Sequence, residues 1–419
     1  MDKIIVKGGQ PLFGEVSISG AKNAVLPIMT ACILAPGKYI LNNVPDLRDT
    51  RTMAKLLTII GATVEYNNNT MVIDTTECNN PKAPYDLVKT MRASFYVLGP
   101  FLGRFGFAEV SLPGGCAWGP RPVDLHLKAI EALGADVSLE SGSIVAKADS
   151  GLTGATIAFD ISSVGATGNA LMAAVKASGK TIIKNAAKEP EITSLAEFLI
   201  KMGAIIDGLG TDELIVTGVN ELKGDFEFDI IADRIEAGTF MIATALCGGE
   251  ITLKKAKSNH LDIVISKLKE AGAIVTSNDV SITVKSGGNI NPVNITTAPY
   301  PGYPTDLQAQ WMALMAKAKG SSIIIEEIYK DRFTHIAELT RLGAIIKLED
   351  NVAVVTGNNK LNGAPVMSTD IRASASLILA TLSANGESEI SRVYHIDRGY
   401  ENVEEKFRNL GANIYRVSE

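Results

Sequence analysis

Cys116 sits in the run Leu112-Pro-Gly-Gly-Cys-Ala-Trp-Gly-Pro-Arg-Pro122, which holds three Gly and three Pro in eleven residues. Such a run is neither helix nor central strand, so it predicts an ordered loop able to move. A loop thiol has an ordinary pKa of about 8.5. It keeps its proton at neutral pH and is able either to donate it or, as thiolate, to attack. Arg121 in the same run favours the thiolate. A thiol without a task fits the same residues, so the loop alone does not decide. The other cysteines read differently. Cys32 and Cys247 fall in apolar helical runs and are expected in the core, and Cys78 falls in a polar turn beside Asn79-Asn80-Pro81. None has metal-ligand spacing and the chain has four His, so neither a metal nor a cofactor is expected.

A second set of polar residues shares a sign. Lys22-Asn23 stands where an apolar helix begins, after Ser19-Gly20-Ala21. Arg92 opens another such run. Arg234 follows Asp233, Arg372 follows Asp370 at two residues, and Arg398 follows His395-Ile396-Asp397. Basic side chains beside helix N-termini make anion sites. An ion pair between each Arg and its neighbouring Asp is the other reading of the same residues. Repetition of the placement favours a site lined with cations, suited to a small polyanion.

The elements that must position these residues are repeated. Gly-Ala recurs at Gly61-Ala62, Gly134-Ala135, Gly203-Ala204, Gly272-Ala273, Gly343-Ala344 and Gly411-Ala412, spaced 68 to 73 residues apart. Each pair ends a helix-like run and opens a β-branched segment. A repeat of that length exceeds the ~20–50 residues of solenoids and reads as a duplicated subdomain. In the third copy Thr193-Ser194 is expected to cap a helix through Phe198, Leu199 and Met202. Gly203 suits a left-handed helix end, and Asp207-Gly208-Leu209-Gly210 turns a hairpin toward Leu214-Ile215-Val216. Other copies place turns at Asn67–Asn69, Ser141-Gly142, Ser277–Asp279 and Glu349–Asn351.

A second kind of helix is expected over Gly165–Ser178, Arg234–Leu246, Asp306–Lys317 and Arg372–Ser383, apolar on nearly every face and therefore buried. The fold class is α+β, an inside-out arrangement of six βαβαββ units with helices within and sheets outside. Six units divide into two domains of three.

Composition narrows the function classes. Hydrophobic residues make up 46% and charged residues 21% of the 419, which leaves no room for long disorder. A net charge of −6 with no Lys/Arg block argues against nucleic acid. No apolar run reaches the ~18 residues of a membrane span, and Met1-Asp2-Lys3-Ile4 opens no signal-peptide core, so no membrane is expected and the cytoplasm is the default. A monomer or weak oligomer is expected.

Lys22-Asn23 after Ser-Gly-Ala, the run Pro113–His126 (Pro-Gly-Gly-Cys-Ala-Trp-Gly-Pro-Arg-Pro-Val-Asp-Leu-His), Pro304-Thr305-Asp306 and His395-Ile-Asp-Arg-Gly-Tyr400 together resemble the enolpyruvyl transferase family, and within it the members acting on UDP-N-acetylglucosamine. The resemblance runs the length of the chain. It implies one domain of residues 1–21 plus 230–419, with the N-terminal segment crossing over, and another of 22–229 carrying the Cys116 loop. The implied reaction moves the enolpyruvyl group of phosphoenolpyruvate onto the 3-hydroxyl of UDP-N-acetylglucosamine and releases phosphate.

The same resemblance implies roles. Cys116 protonates C3 of the enol or adds to C2, and Asp306 takes the 3-hydroxyl proton. Lys22, Arg121 and Arg398, with Arg372 beside them, neutralise phosphoenolpyruvate, and Asn23 holds the tetrahedral centre. Arg92, Arg121, Pro122, Val123, Asp124 and Leu125 hold the nucleotide sugar together with Ser163, Val164, Gly165, Asp306 and Ile328. Trp118, Ile161 and Tyr96 depart from the common pattern of the family. A member acting on shikimate 3-phosphate would share fold and cosubstrate but lacks the Cys loop, so residues 113–122 argue against it. A non-catalytic repeat scaffold would not need Lys22, Cys116, Asp306 and Arg398 at unrelated offsets.

Overall fold

The computed structural model describes residues 2–112, 123–357 and 360–418. Cys116, Arg121, Pro122 and Trp118 lie outside the described residues.

Each repeat runs strand, buried helix, strand, amphipathic helix, hairpin, and each sheet has four strands. Arg48–Ile60 shows why the outer helices form. Its buried Met53, Leu56, Leu57 and Ile60 fall at positions i, i+3, i+4 and i+7, one stripe of a helix. Gly61 then turns with φ 110°, a left-handed conformation that a Cβ would strain. The Ala62 amide reaches back to Leu57 O at 2.9 Å, closing the helix end. The other five Gly-Ala pairs repeat this, with φ from 90° to 102° and amides of Ala135, Ala204, Ala273, Ala344 and Ala412 bonded five residues back. This local chemistry is what the spacing detected.

The inner helices are buried along most of their length. All eight residues of Gln308–Met315 are buried, and so are twelve of the thirteen in Ile371–Ser383. Val164–Ala174 and Arg234–Cys247 are nearly as enclosed. Some boundaries differ from expectation, and the helix expected over Gly165–Ser178 ends at Ala174. The helix assigned a Thr193-Ser194 cap begins earlier, at Pro190, because a proline's fixed φ and missing N–H suit the first helical turn. Asp306 belongs to a 3-10 turn, Thr305–Leu307, that precedes the helix Gln308–Met315.

The chain forms two compact units, Met1–Ser19 with Ala232–Glu419, and Gly20–Ile231. In four repeats the strand before the buried helix pairs in parallel with the strand after it, as Thr156–Ala158 does with Lys180–Lys184. At the junctions the partners are exchanged. Leu12–Ser17 pairs with Gly249–Lys254, and Phe226–Asp229 pairs with Lys38–Asn42. Lys3–Lys7 fills the hairpin position beside Asn413–Val417 in the last repeat.

Side chains fix the first junction. The Ser19 amide donates to Glu236 Oε2 at 2.7 Å, its hydroxyl donates to Glu401, and Lys406 Nζ bonds both Ser19 Oγ and Glu236. A Cβ on Gly20 would run into the Asn43 carbonyl, so this position must be glycine.

The described cysteines are structural. Cys32 is fully buried, Cys247 partly so. Cys78, expected in a polar turn, is buried as well, and burial pushes its thiol up to about 11. It packs under the helix Arg48–Ile60, where Asn79 and Asn80 amides bond Ile60 O.

Candidate active site

In the unit Gly20–Ile231, Lys22 opens the helix Lys22–Ala31 behind Ala21, which has no side chain to cap it. Lys22 Nζ stands 3.7 Å from Asp49 Oδ2, an ion pair too long for a hydrogen bond. Asn23 is half-buried beside it. Arg92 opens the 3-10 turn Arg92–Val97, which packs against the Lys22 helix. Val123, Asp124 and Leu125 begin the helix Asp124–Ala132, and Ser163, Val164 and Gly165 begin Val164–Ala174.

His126 brings these segments together. A Cβ on Gly165 would lie 2.9 Å from His126 Cε1 and Nε2, so the second helix starts against that edge of the imidazole. The Gly99 amide donates to Asn169 Oδ1 at 2.8 Å, which orients the amide group so that Nδ2 is a donor. Nδ2 then bonds Phe95 O at 3.1 Å and His126 Nδ1 at 2.8 Å. Nδ1 therefore accepts, and the proton of the neutral ring is on Nε2. Burial, assisted by the Arg92 charge, lowers the His126 pKa to about 3 and keeps it neutral. Ser163 Oγ accepts one amide, Ala166 N at 3.3 Å, and no acidic residue stands in the first turn. Such a helix start retains capacity for an anion. His126 and Asn169 were missed as organisers. Asn169 carries a readable signal, as an amide inside an otherwise small apolar helix.

In the other unit Asp306 is the centre. Arg332 Nη1 donates to Asp306 Oδ1 at 2.9 Å, and Arg372 donates to the same oxygen through Nε at 2.8 Å and Nη2 at 2.5 Å. Burial opposes the Arg372 charge, but Asp306 and Asp370 outweigh it and its pKa is raised. For Arg332, burial and the Arg372 charge prevail and its pKa is lowered. Both remain cations.

The Asp beside each Arg, whose ion pair is the alternative reading, also serves other groups. Asp370 caps the helix Ile371–Ser383, accepting from the amides of Arg372 at 2.7 Å and Ala373 at 3.2 Å. Asp233 caps Arg234–Cys247 likewise, with Ile235 and Glu236. Those helix starts are therefore occupied by the chain's own carboxylates and are not open anion sites, because backbone donors that point outward take the nearest anion. Arg234 lies over the Tyr300 ring, 5.4 Å from its centroid. Asp397 holds Arg416 bidentately at 2.6 and 3.0 Å.

Arg398 ends the 3-10 segment Val393–Arg398, half-buried. A Cβ on Gly399 would meet Ile371 Cγ2 at 2.8 Å, so this segment lies against the start of the helix that carries Arg372. Ile328 is exposed, its amide bonded to Glu326 Oε1 at 3.0 Å. Thus Asp306, Arg372, Arg398 and Ile328 share one unit, and Lys22, Asn23, Arg92, Val123–Leu125 and Ser163–Gly165 share the other. Ile161 is exposed and Tyr96 packs under Gly168.

A chain built from such repeats has known relatives. The sequence profile described as EPSP synthase (3-phosphoshikimate 1-carboxyvinyltransferase) matches residues 6–407. The chain belongs to this family of enolpyruvyl transferases. It is 55% identical over 419 residues, the whole of both chains, to the UDP-N-acetylglucosamine 1-carboxyvinyltransferase of Geobacter metallireducens. It is 54% identical to that of Chlorobaculum parvum, over 99% of this chain and 98% of the relative. Among solved structures, the enolpyruvyl transferase NikO from Streptomyces tendae superposes with TM-score 0.90 at 25% identity, covering 100% and 99% of the two chains. EPSP synthase from Acinetobacter baumannii follows at TM-score 0.78 and 16% identity, a likeness of fold alone. Among the described residues of this enolpyruvyl transferase, no helix is long and apolar enough to cross a membrane.

Proposed function

We propose that the chain transfers the enolpyruvyl group of phosphoenolpyruvate to the 3-hydroxyl of UDP-N-acetylglucosamine, releasing phosphate. The observation that carries this reading is end-to-end identity of 55% with a relative named for that activity. In bacteria the reaction would open peptidoglycan synthesis, in the cytoplasm.

The residues fit the chemistry demanded. Phosphoenolpyruvate bears about three negative charges, which Lys22, Arg121, Arg372 and Arg398 neutralise so that C2 accepts a nucleophile. Cys116 supplies the proton to C3, the step that makes C2 electrophilic, or adds its thiolate to C2 once C3 is protonated. Asp306 takes the proton of the sugar 3-hydroxyl as its oxygen bonds C2. The tetrahedral ketal, held by Asn23, then loses phosphate together with one proton from C3, which the Cys116 thiolate takes back, and the enol double bond is restored. Arg332 and Arg372 aim the Asp306 carboxylate through Oδ1. Arg92, Arg121, Pro122, Val123, Asp124 and Leu125 hold the nucleotide, and Ser163-Val164-Gly165 offers the helix start to its diphosphate. Ile328 meets the sugar through its backbone.

The deciding experiment is phosphate release with phosphoenolpyruvate and either acceptor. Release with UDP-N-acetylglucosamine and none with shikimate 3-phosphate is the expected result, and the reverse sinks the reading. Cys116→Ser is expected to fold normally and lose at least about a hundredfold in turnover. Fosfomycin, an epoxide, is expected to add once, at Cys116, because Cys32 and Cys78 are buried and Cys247 is half-buried in an apolar helix.

A further inference from the structure

We propose that Glu326 is a positioning residue whose single carboxylate sets the sugar-contacting backbone at Ile328 and the proton acceptor Asp306 in mutual register. The proposal rests on the roles given above to Asp306 and Ile328.

Glu326 follows the strand Ser321–Ile325 and is fully buried. Oε1 accepts three hydrogen bonds, from Thr297 Oγ1 at 2.8 Å, Ile328 N at 3.0 Å and Tyr329 N at 2.9 Å. Oε2 accepts one, from Thr305 Oγ1 at 2.9 Å. The two threonines are themselves acceptors, from Glu327 N at 2.9 Å and Arg332 Nη1 at 2.8 Å. Each has one hydroxyl proton, and a donor on its lone pair directs that proton at Glu326. Four donors thus converge on the carboxyl group.

The polarity continues to the reaction site. Thr305 gives its proton to Glu326 and leaves a lone pair for Arg332, and the same Arg332 nitrogen reaches Asp306 Oδ1 at 2.9 Å. One end of Glu326 therefore holds the loop Ile328–Tyr329 and the other fixes the turn Thr305–Asp306. The sugar and the group that deprotonates it are registered through one rigid anion. A buried network of this kind specifies geometry because each member has one satisfactory orientation.

Glutamine at 326 would keep the acceptor facing Ile328 but turn a donor toward Thr305. The Thr305 hydroxyl would then have to reverse toward Arg332, opposing the Arg332–Asp306 bond. Glu326→Gln is expected to lower kcat about tenfold or more and raise KM for UDP-N-acetylglucosamine about threefold, with the acidic limb of the kcat–pH profile displaced. Thr305→Val is expected to lower kcat with little change in that KM, and Thr305→Ser to keep most of the rate. A merely structural Glu326 would lower the melting temperature and leave kcat per folded molecule and its pH profile unchanged, which overturns the proposal. Should Glu326→Gln not fold, the Thr305 pair decides: a slow Val variant beside a fast Ser variant supports it, and equal rates overturn it. Wild-type protein without turnover on phosphoenolpyruvate and UDP-N-acetylglucosamine would sink the functional reading itself, a result distinct from an active wild type with indifferent variants.

Discussion

Two buried helices in each unit start differently from two in the other. In Gly20–Ile231, Lys22–Ala31 begins behind an alanine and Val164–Ala174 behind a serine that takes one amide, with no acid in either first turn. In the unit of Met1–Ser19 and Ala232–Glu419, Arg234–Cys247 and Ile371–Ser383 each begin with an aspartate that takes two amides. A carboxylate cap neutralises the positive helix end and consumes its donors. The first pair of starts keeps capacity for a ligand's anion, and the second has spent it on the protein. Positive charge in the second unit resides in side chains, and two of those, Arg332 and Arg372, hold an internal carboxylate. Counting cations at helix starts therefore overstates anion capacity unless the acids that fill them are subtracted.

The sharpest break would come at Asp306. Asp306→Asn leaves an acceptor for the arginines but no base, and turnover is expected to fall at least about a hundredfold in the phosphate-release assay. Two guanidiniums sharing a neutral partner should also make the fold about 1–2 kcal/mol less stable, a figure reduced by partial exposure. Near-wild-type turnover would remove Asp306 from proton transfer and reduce its contacts to scaffolding.

Ser163→Asp makes one unit imitate the other. The new carboxylate would cap Val164–Ala174 as Asp370 caps Ile371–Ser383, adding about 0.5 kcal/mol of stability in urea melts. It would also occupy the start assigned to the diphosphate, so KM for UDP-N-acetylglucosamine is expected to rise about tenfold. Unchanged KM would show that this helix start does not face the nucleotide. In the opposite direction, Asp370→Ala should cost about 1 kcal/mol through loss of its cap.

Architecture was legible where the signal was local. Each Gly-Ala pair states a helix end and a strand start within two residues, and all six conform. The apolar helices were legible because burial on all sides leaves no polar face to write. Contacts between distant residues were not. Asp370 and Arg372 are neighbours in sequence, and pairing them was the economical reading, yet the Asp turns to the backbone while the Arg reaches Asp306, 66 residues away. Glu326 carries no local signal beside Glu327, because its partners are Thr297, Thr305 and the Ile328 amide. The exchange of strands at the junctions was implied by family resemblance alone, since pairing partners 237 and 187 residues apart leave no local mark.

Each unit also holds one buried histidine, and these should report on the two surroundings. Burial first, then Arg92, lowers His126 to about 3. Burial lowers His335 to about 4, with Arg332 acting in the same sense and Asp370 against it. In the unfolded chain both titrate near 6.5. Below that pH the unfolded chain binds protons that the folded chain refuses, so stability is complete above about pH 6.5 and declines as acid is added, until each folded-state pKa is reached. At pH 5.5 each histidine should account for about 1 kcal/mol of the loss relative to pH 7.5. Urea melts at the two pH values should show His126→Gln and His335→Gln each flattening the decline by that amount, whatever the variant costs at neutral pH. Asp370→Ala removes the charge that favours protonated His335 and should extend the decline further into acid, whereas Ser163→Asp, in the other unit, should leave the His335 share as it was. A wild-type slope retained by His126→Gln would mean that its ring is hydrated in solution, and the neutral, Asn169-bound imidazole beneath Gly165 would lose its role in joining the starts of Asp124–Ala132 and Val164–Ala174.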